Sequence, residues 1–446
     1  MTTINDVNRV LATQMKYEKD LLKRANVQSV GVGYIMKGGK YTEEIGITVN
    51  VSKKSEINAL GIPDRLPTEL DGIRVDVIEK GFFVDESLQH GTENLLGYNA
   101  QGHDFKSEVG KMTPGYSQGN KTITAGTTGY PARRTGTEEC IILTTSNAHV
   151  QCSDPSLTMS EQASLEIYQP GKHDGGNNVR ADLTCFEQIY SDKRNKCDSA
   201  ASTLRDQTDY TTVIPIIGAI TYVDESDPVL GEIIEKVGRT TGYTKARAVQ
   251  INVVVKVGYA TLKAPFERCI ITENMSAGGD SGSMGIVTRD IDKAKGYKYR
   301  LFAGSPNATI YFHIREEMSD LRIYPILSGE EPDSESGIEV NFELEADDGS
   351  GTRTYTVFGV VGSTAGNPVK DALVSIGMYQ DMTTVLGKYK IEKVPEGVYQ
   401  ASASKENYET DSKEVVIGHA EKTVESEIEA DTYSKPFMGW LLDWDN

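Results

Sequence analysis

Residues 275–286 read Met-Ser-Ala-Gly-Gly-Asp-Ser-Gly-Ser-Met-Gly-Ile. A serine hydroxyl at position 281, held on a tight turn, is a group that can attack a carbonyl carbon. The flanking glycines let the backbone pass close to that carbonyl. They also let the amides of Gly279 and Ser281 face one small space, where they could hold an oxyanion. Gly, Asp and Ser are common turn residues too, so Gly-Asp-Ser-Gly alone equally describes a surface loop. A serine needs a base within hydrogen-bond reach, and the base needs an orienting carboxylate. His149 ends the string Cys140-Ile-Ile-Leu-Thr-Thr-Ser-Asn-Ala-His149, an apolar strand running into a small-residue turn. His90, His103, His173, His313 and His419 lack that setting. Asp198, Asp182 and Asp174 are candidates for the acid. Asp198 ranks first, because Ser199, Ala200 and Ala201 leave room for an imidazole beside it. Asp182 follows the histidine closely for a chain that must cross half a barrel.

The elements that must position these groups are mostly short β-branched runs separated by turns. Residues 116–327 read as an all-β barrel region, with Ile251–Val257 its clearest strand. Before it, residues 1–85 read as a small α/β unit. Apolar residues recur at helical spacing over 4–25 (Ile4, Val7, Val10, Leu11, Met15, Leu21, Leu22). Strands follow at 28–36, Ile45–Val51 and Ile73–Ile78, with Gly38-Gly39 as a hairpin turn. Residues 86–115 are polar and aperiodic, as in a linker. Residues 328–350 carry nine acidic side chains and no basic one, which predicts an acidic linker over 328–338. Residues 339–431 alternate strongly and predict a β-sandwich of about seven strands. Residues 432–446 form an aromatic tail with Phe437, Trp440 and Trp444, which could anchor a partner or a second copy.

The 446 residues carry a net charge of −19. That sign argues against a nucleic-acid or anionic-membrane partner. No apolar run approaches the ~20 residues of a spanning helix, and the N-terminus has no signal-like pattern. A cytoplasmic location is expected, with export as the alternative. The five cysteines, Cys140, Cys152, Cys185, Cys197 and Cys269, are expected as free thiols, a Cys140–Cys152 bridge being the alternative. Without a Cys-x-x-Cys pair no zinc site is expected, and no cofactor is implied.

The order His149, Asp198, Ser281 resembles that of chymotrypsin-like (trypsin-like) serine proteases. Further strings resemble a prokaryotic, phage-associated branch of them: Ile123-Thr-Ala-Gly-Thr-Thr-Gly, Asn147-Ala-His-Val, Gln169-Pro-Gly-Lys-His-Asp-Gly-Gly, Asn195-Lys-Cys-Asp-Ser-Ala-Ala, Lys236-Val-Gly-Arg-Thr-Thr-Gly and Leu301-Phe-Ala-Gly-Ser. The resemblance covers residues ~28–325. It implies a mainly β fold, a double β-barrel with the site between barrels, and a serine endopeptidase working through an acyl-enzyme on a polypeptide substrate. It implies Ser281 as nucleophile, His149 as base and Asp198 as orienting acid. The Gly279 and Ser281 amides would form the oxyanion hole, and Asp280 would need a cationic or amide partner to keep it open. Met275 would lie at the floor of the substrate pocket, with Gly304 and Ser305 on its wall; with no carboxylate at 275, a neutral or apolar side chain is the expected preference. Residues 1–85 resemble an accessory domain, expected to brace the barrel rather than inhibit it. Val357-Phe-Gly-Val-Val, Gly387-Lys-Tyr-Lys-Ile and Val394-Pro-Glu-Gly-Val-Tyr resemble carboxypeptidase regulatory-like, transthyretin-type sandwiches, which implies binding or assembly. The alternative to an enzyme is a protease-like scaffold that works through the sandwich and tail.

Overall fold

The computed structural model describes residues 4–55, 60–85, 102–123, 125–134, 141–289, 291, 293–329, 338–347, 354–363, 369–384, 387–395, 397–405 and 411–417. Cys140, His90, His419, Phe437, Trp440 and Trp444 lie outside them, as does most of the acidic linker. The chain is mainly β and forms two compact units. The first comprises residues 1–132, 141–321 and 325–328, and the second 133–140, 322–324 and 329–446.

In the first unit, six strands close into a barrel. The strand Ile233–Gly238 pairs with Met284–Thr288 on one side and with Gly242–Gly258 on the other. Lys295–Ser305, Ala308–His313 and Lys263–Thr272 complete the ring. Its interior is packed by Val249, Val253, Val255, Phe266, Phe302 and Phe312, all essentially inaccessible to solvent. The strand expected at Ile251–Val257 is longer in the structure, spanning Gly242–Gly258. It has to be, because its two halves serve different neighbours.

Val27–Lys37 pairs antiparallel with that long strand. The residues expected as a separate α/β unit therefore extend the same sheet. The helix Ile4–Leu22 covers the extension, burying Val10 and Leu21 against Val30, Val32, Ile47 and Val49. Met15, counted in the apolar stripe, faces solvent instead. Gly38 and Gly39 turn the hairpin into Lys40–Val51.

A second sheet of the same unit runs in the order Ile142–Ser146, Ala200–Leu204, Val179–Phe186, Glu166–Tyr168, Ser117–Asn120, Gly126–Thr127. Residues 102–115, read from sequence as linker, pack against it. Phe105 and Tyr116 stack edge to face, and Met112 exchanges backbone hydrogen bonds with Asp209 and Thr211.

The second unit is a β-sandwich. Ile338–Asp347, Thr354–Ser363 and Lys388–Pro395 form one antiparallel sheet, and Tyr379–Met382, Leu373–Ile376, Gly397–Ser404 and Asp411–Ile417 the other. Val357, Val374, Ile376, Ile391, Val394 and Ala403 share one buried core between them. Among the described residues no helix is long and apolar enough to cross a membrane.

Candidate active site

Strand pairing alone brings the histidine and the acid together. Ser146 lies opposite Ala200 in adjacent antiparallel strands. The chain leaving the first strand and the chain entering the second are therefore at the same end of the sheet. A single helical turn, Ala148–Gln151, follows Ser146 and carries His149; Asp198 sits just before Ala200. His149 Nδ1 donates to Asp198 Oδ2 at 2.5 Å, and the His149 amide donates to Asp198 Oδ1 at 3.2 Å. Asn147 Nδ2 donates to the Asp198 carbonyl at 2.7 Å, which fixes the acid's backbone as well. Asp198 is fully buried and His149 is 6% exposed.

This geometry sets the tautomer. A carboxylate only accepts, so the Nδ1 proton points at Asp198 and Nε2 carries a lone pair. Burial pushes the imidazole towards its neutral form. The charge and hydrogen bond of Asp198 outweigh that, and the His149 pKa rises above its ordinary 6.5. Sequence reasoning missed a third group on the acid: Tyr259 Oη donates to Asp198 Oδ2 at 2.9 Å. Burial first, and then the Asp198 charge, hold this phenol well above its usual pKa, so it remains a donor. Its ring also meets the His149 ring edge to face, centroids 5.8 Å apart. Tyr259 follows the long strand, 61 residues from Asp198. No local pattern links the two.

Ser281 approaches from the barrel. Its carbonyl accepts from the Thr127 amide at 2.7 Å, and Thr127 Oγ1 donates to the Gly279 carbonyl at 2.9 Å. Gly126 measures how near the serine lies to the histidine. A Cβ there would be 2.4 Å from Val150 Cγ2 and 3.0 Å from the Ser281 carbonyl, so Ser281 and the residue after His149 flank one glycine. Ser281 Oγ and His149 Nε2 are both buried, and among the described residues neither has a hydrogen-bond partner, including each other.

The loop before Ser281 is held by its acid. Asp280 is fully buried. Oδ1 accepts from the amides of Thr240 and Thr241 at 2.8 and 3.1 Å. Oδ2 accepts from Thr241 Oγ1 at 2.6 Å and the Ala277 amide at 3.0 Å. Lys236 Nζ, equally buried, lies 3.2 Å from Oδ2. The expected partner of Asp280 is thus a lysine together with three amides. Gly279 has φ +98°, and a Cβ on it would lie 2.6 Å from Thr240 Oγ1 and 2.8 Å from Arg239 Nη1. The arginine of the Gly238–Gly242 turn chelates Asp174 through Nε, at 2.8 Å, and Nη2. Burial alone would raise the Asp174 pKa; the bonds from Arg239 and Ser117 lower it instead. Asp174 therefore braces the loop that carries Ser281 and not the histidine, while Asp182 pairs with Arg205.

A second buried ion pair reaches residues beside all three candidates. Arg300 donates through Nε and Nη2 to Glu317 at 2.6 and 2.8 Å. Its Nη1 donates to the Gly282 carbonyl and its Nη2 to Thr145 Oγ1, each at 2.8 Å. Ser199 Oγ donates to Glu317 at 2.7 Å. One guanidinium–carboxylate pair thereby touches the neighbour of Ser281, the strand leading to His149 and the neighbour of Asp198.

Met275 is buried in a cluster with Ile234, Val287, Leu301 and Tyr311, and its sulfur accepts from Tyr311 Oη at 3.3 Å. Gly304 and Ser305 end the strand Lys295–Ser305, and Ser305 is buried as well. Cys152, Cys197 and Cys269 are buried free thiols, their pKa values pushed well up by burial.

No family model and no curated protein matches the chain. Solved structures of chymotrypsin-like serine proteases resemble about half of it at low identity. A glutamic acid-specific serine protease is 15% identical, over 48% of this chain and 100% of its own, with a TM-score of 0.35. Nocardiopsis protease is 12% identical over 48% and 98%, TM-score 0.34. Thermobifida fusca protease A is 14% identical over 49% and 99%, TM-score 0.35.

Proposed function

We propose that the chain is a serine endopeptidase. The observation that carries this reading is the buried Asp198–His149 pair, which leaves Nε2 buried and unbonded, as the Ser281 hydroxyl also is among the described residues. In this reaction Ser281 Oγ attacks the scissile carbonyl carbon while its proton passes to His149 Nε2. The carbonyl oxygen becomes an oxyanion between the amides of Gly279 and Ser281. Collapse breaks the C–N bond, and the Nε2 proton leaves on the amine. Water then attacks the acyl-enzyme by the same route, releasing the acid and restoring the Ser281 hydroxyl. Asp198 holds the ring and stabilises the imidazolium, and Tyr259 donates a hydrogen bond to Asp198.

A neutral or apolar side chain is the proposed preference, consistent with the methionine at 275. The sandwich, which resembles carboxypeptidase regulatory-like domains in sequence, serves binding or assembly, with Phe437, Trp440 and Trp444 as the anchors.

A fluorophosphonate probe tests the chemistry. It should modify the native protein at Ser281 and leave the Ser281→Ala variant unmodified. A native protein that stays unmodified would mean a protease-like scaffold without the reaction.

A further inference from the structure

An extended polypeptide that presents a bond to Ser281 needs a strand edge beside it, because main-chain hydrogen bonds are what recognise an extended chain independently of its sequence. The structure has such an edge. The Leu301 amide donates to the Ser283 carbonyl and the Gly282 amide to the Leu301 carbonyl, both at 3.0 Å. The strand Lys295–Ser305 thus runs directly against the loop carrying Ser281, and Ala303 and Gly304 lie two and three positions beyond Leu301 along it.

That edge is already filled. The short strand Phe83–Asp85 pairs antiparallel with it, Asp85 opposite Ala303 and Val84 opposite Gly304. On its other side the strand pairs with the end of the long strand, Phe83 with Val257 and Val84 with Gly258, one residue before Tyr259. Phe83 is buried among Val257, Tyr259 and Phe302. Asp85 is 2% exposed, and its charge is felt at both His149 and Tyr259. The segment therefore lies between the edge leading to Ser281 and the residue that holds Asp198.

We propose that Phe83–Asp85 is a built-in occupant of the substrate edge: it lies as an extended peptide would, and a polypeptide gains Ala303–Gly304 only when this strand leaves. The proposal rests on the peptidase reading above. It gives residues 1–85 a role besides bracing, since they deliver this strand.

The test uses the full chain and two probes. A small fluorophosphonate needs only the nucleophile. Tetrapeptidyl phosphonates with apolar, basic or acidic terminal residues need the edge as well. Val84→Pro removes a backbone donor from the occupying strand. The small probe should label wild type and V84P at rates within about twofold, and a peptidyl probe should label V84P at least tenfold faster. Equal peptidyl rates in a folded V84P would overturn the proposal and leave the peptidase reading standing. Failure of the small probe on both proteins would overturn both. Should V84P fail to fold, hydrogen exchange on the wild-type chain decides. Peptidyl modification should strip protection from the amides of residues 83–85, and unchanged protection there would reject the idea.

Discussion

At the residue scale, Tyr259 and Asp198 govern one proton. Tyr259→Phe removes a donor from a buried carboxylate, and hydrogen bonds to charged groups contribute about 1.5–3 kcal/mol. We expect kcat to fall roughly tenfold or more with KM little changed, read from steady-state kinetics on a peptide substrate. The pH profile follows from the raised His149 pKa. Only the neutral ring can accept the serine proton, so activity is lost as pH falls through that value. The acidic limb of kcat/KM should therefore lie above pH 6.5. In Asp198→Asn the main source of the rise is gone and only the weaker Asp85 charge still opposes burial, so the limb should move to lower pH. The linked stability has the opposite sense: the imidazolium form is favoured by the fold, and its contribution disappears as pH rises through the native pKa.

At the element scale, the Gly238–Gly242 turn and the loop carrying Ser281 act as one piece, joined by Lys236, Asp280 and the Thr240 and Thr241 amides. Lys236→Met leaves a buried carboxylate without its cation, which costs about 3–5 kcal/mol. Urea unfolding should show that loss, and the double variant with Asp280→Asn should recover part of it. The turn also shows what a sequence reveals and what it hides. The glycines that bound Gly238-Arg-Thr-Thr-Gly242 mark a turn locally. Its partners, Asp174 and Asp280, come from distant segments that only the fold brings near. His149 and Ser281 stand out because each sits in a contiguous strand-to-turn string. Tyr259 follows an ordinary apolar strand, and its pairing with Asp198 has no local trace. The helix Ile4–Leu22 was legible from its period, whereas its docking on an extended barrel sheet depended on Val27–Lys37 finding Gly242–Gly258.

At the scale of the whole molecule, every hydrogen bond described at the site lies within the first unit. A chain ending at residue 328 should therefore keep Ser281 reactive towards the fluorophosphonate at the rate of the full protein. A large loss would show that the sandwich supports the site. The Arg300–Glu317 pair carries a different consequence, for how the protein is made. Glu317 belongs to the helix Ile314–Leu321, which is translated after His149, Asp198 and Ser281. While the ribosome still shields that helix, Arg300 has no carboxylate to anchor it, and Gly282, Thr145 and Ser199 lack their common tie. The ties among the neighbours of His149, Asp198 and Ser281 are thus completed only after synthesis has passed residue 317, well beyond the segments they join.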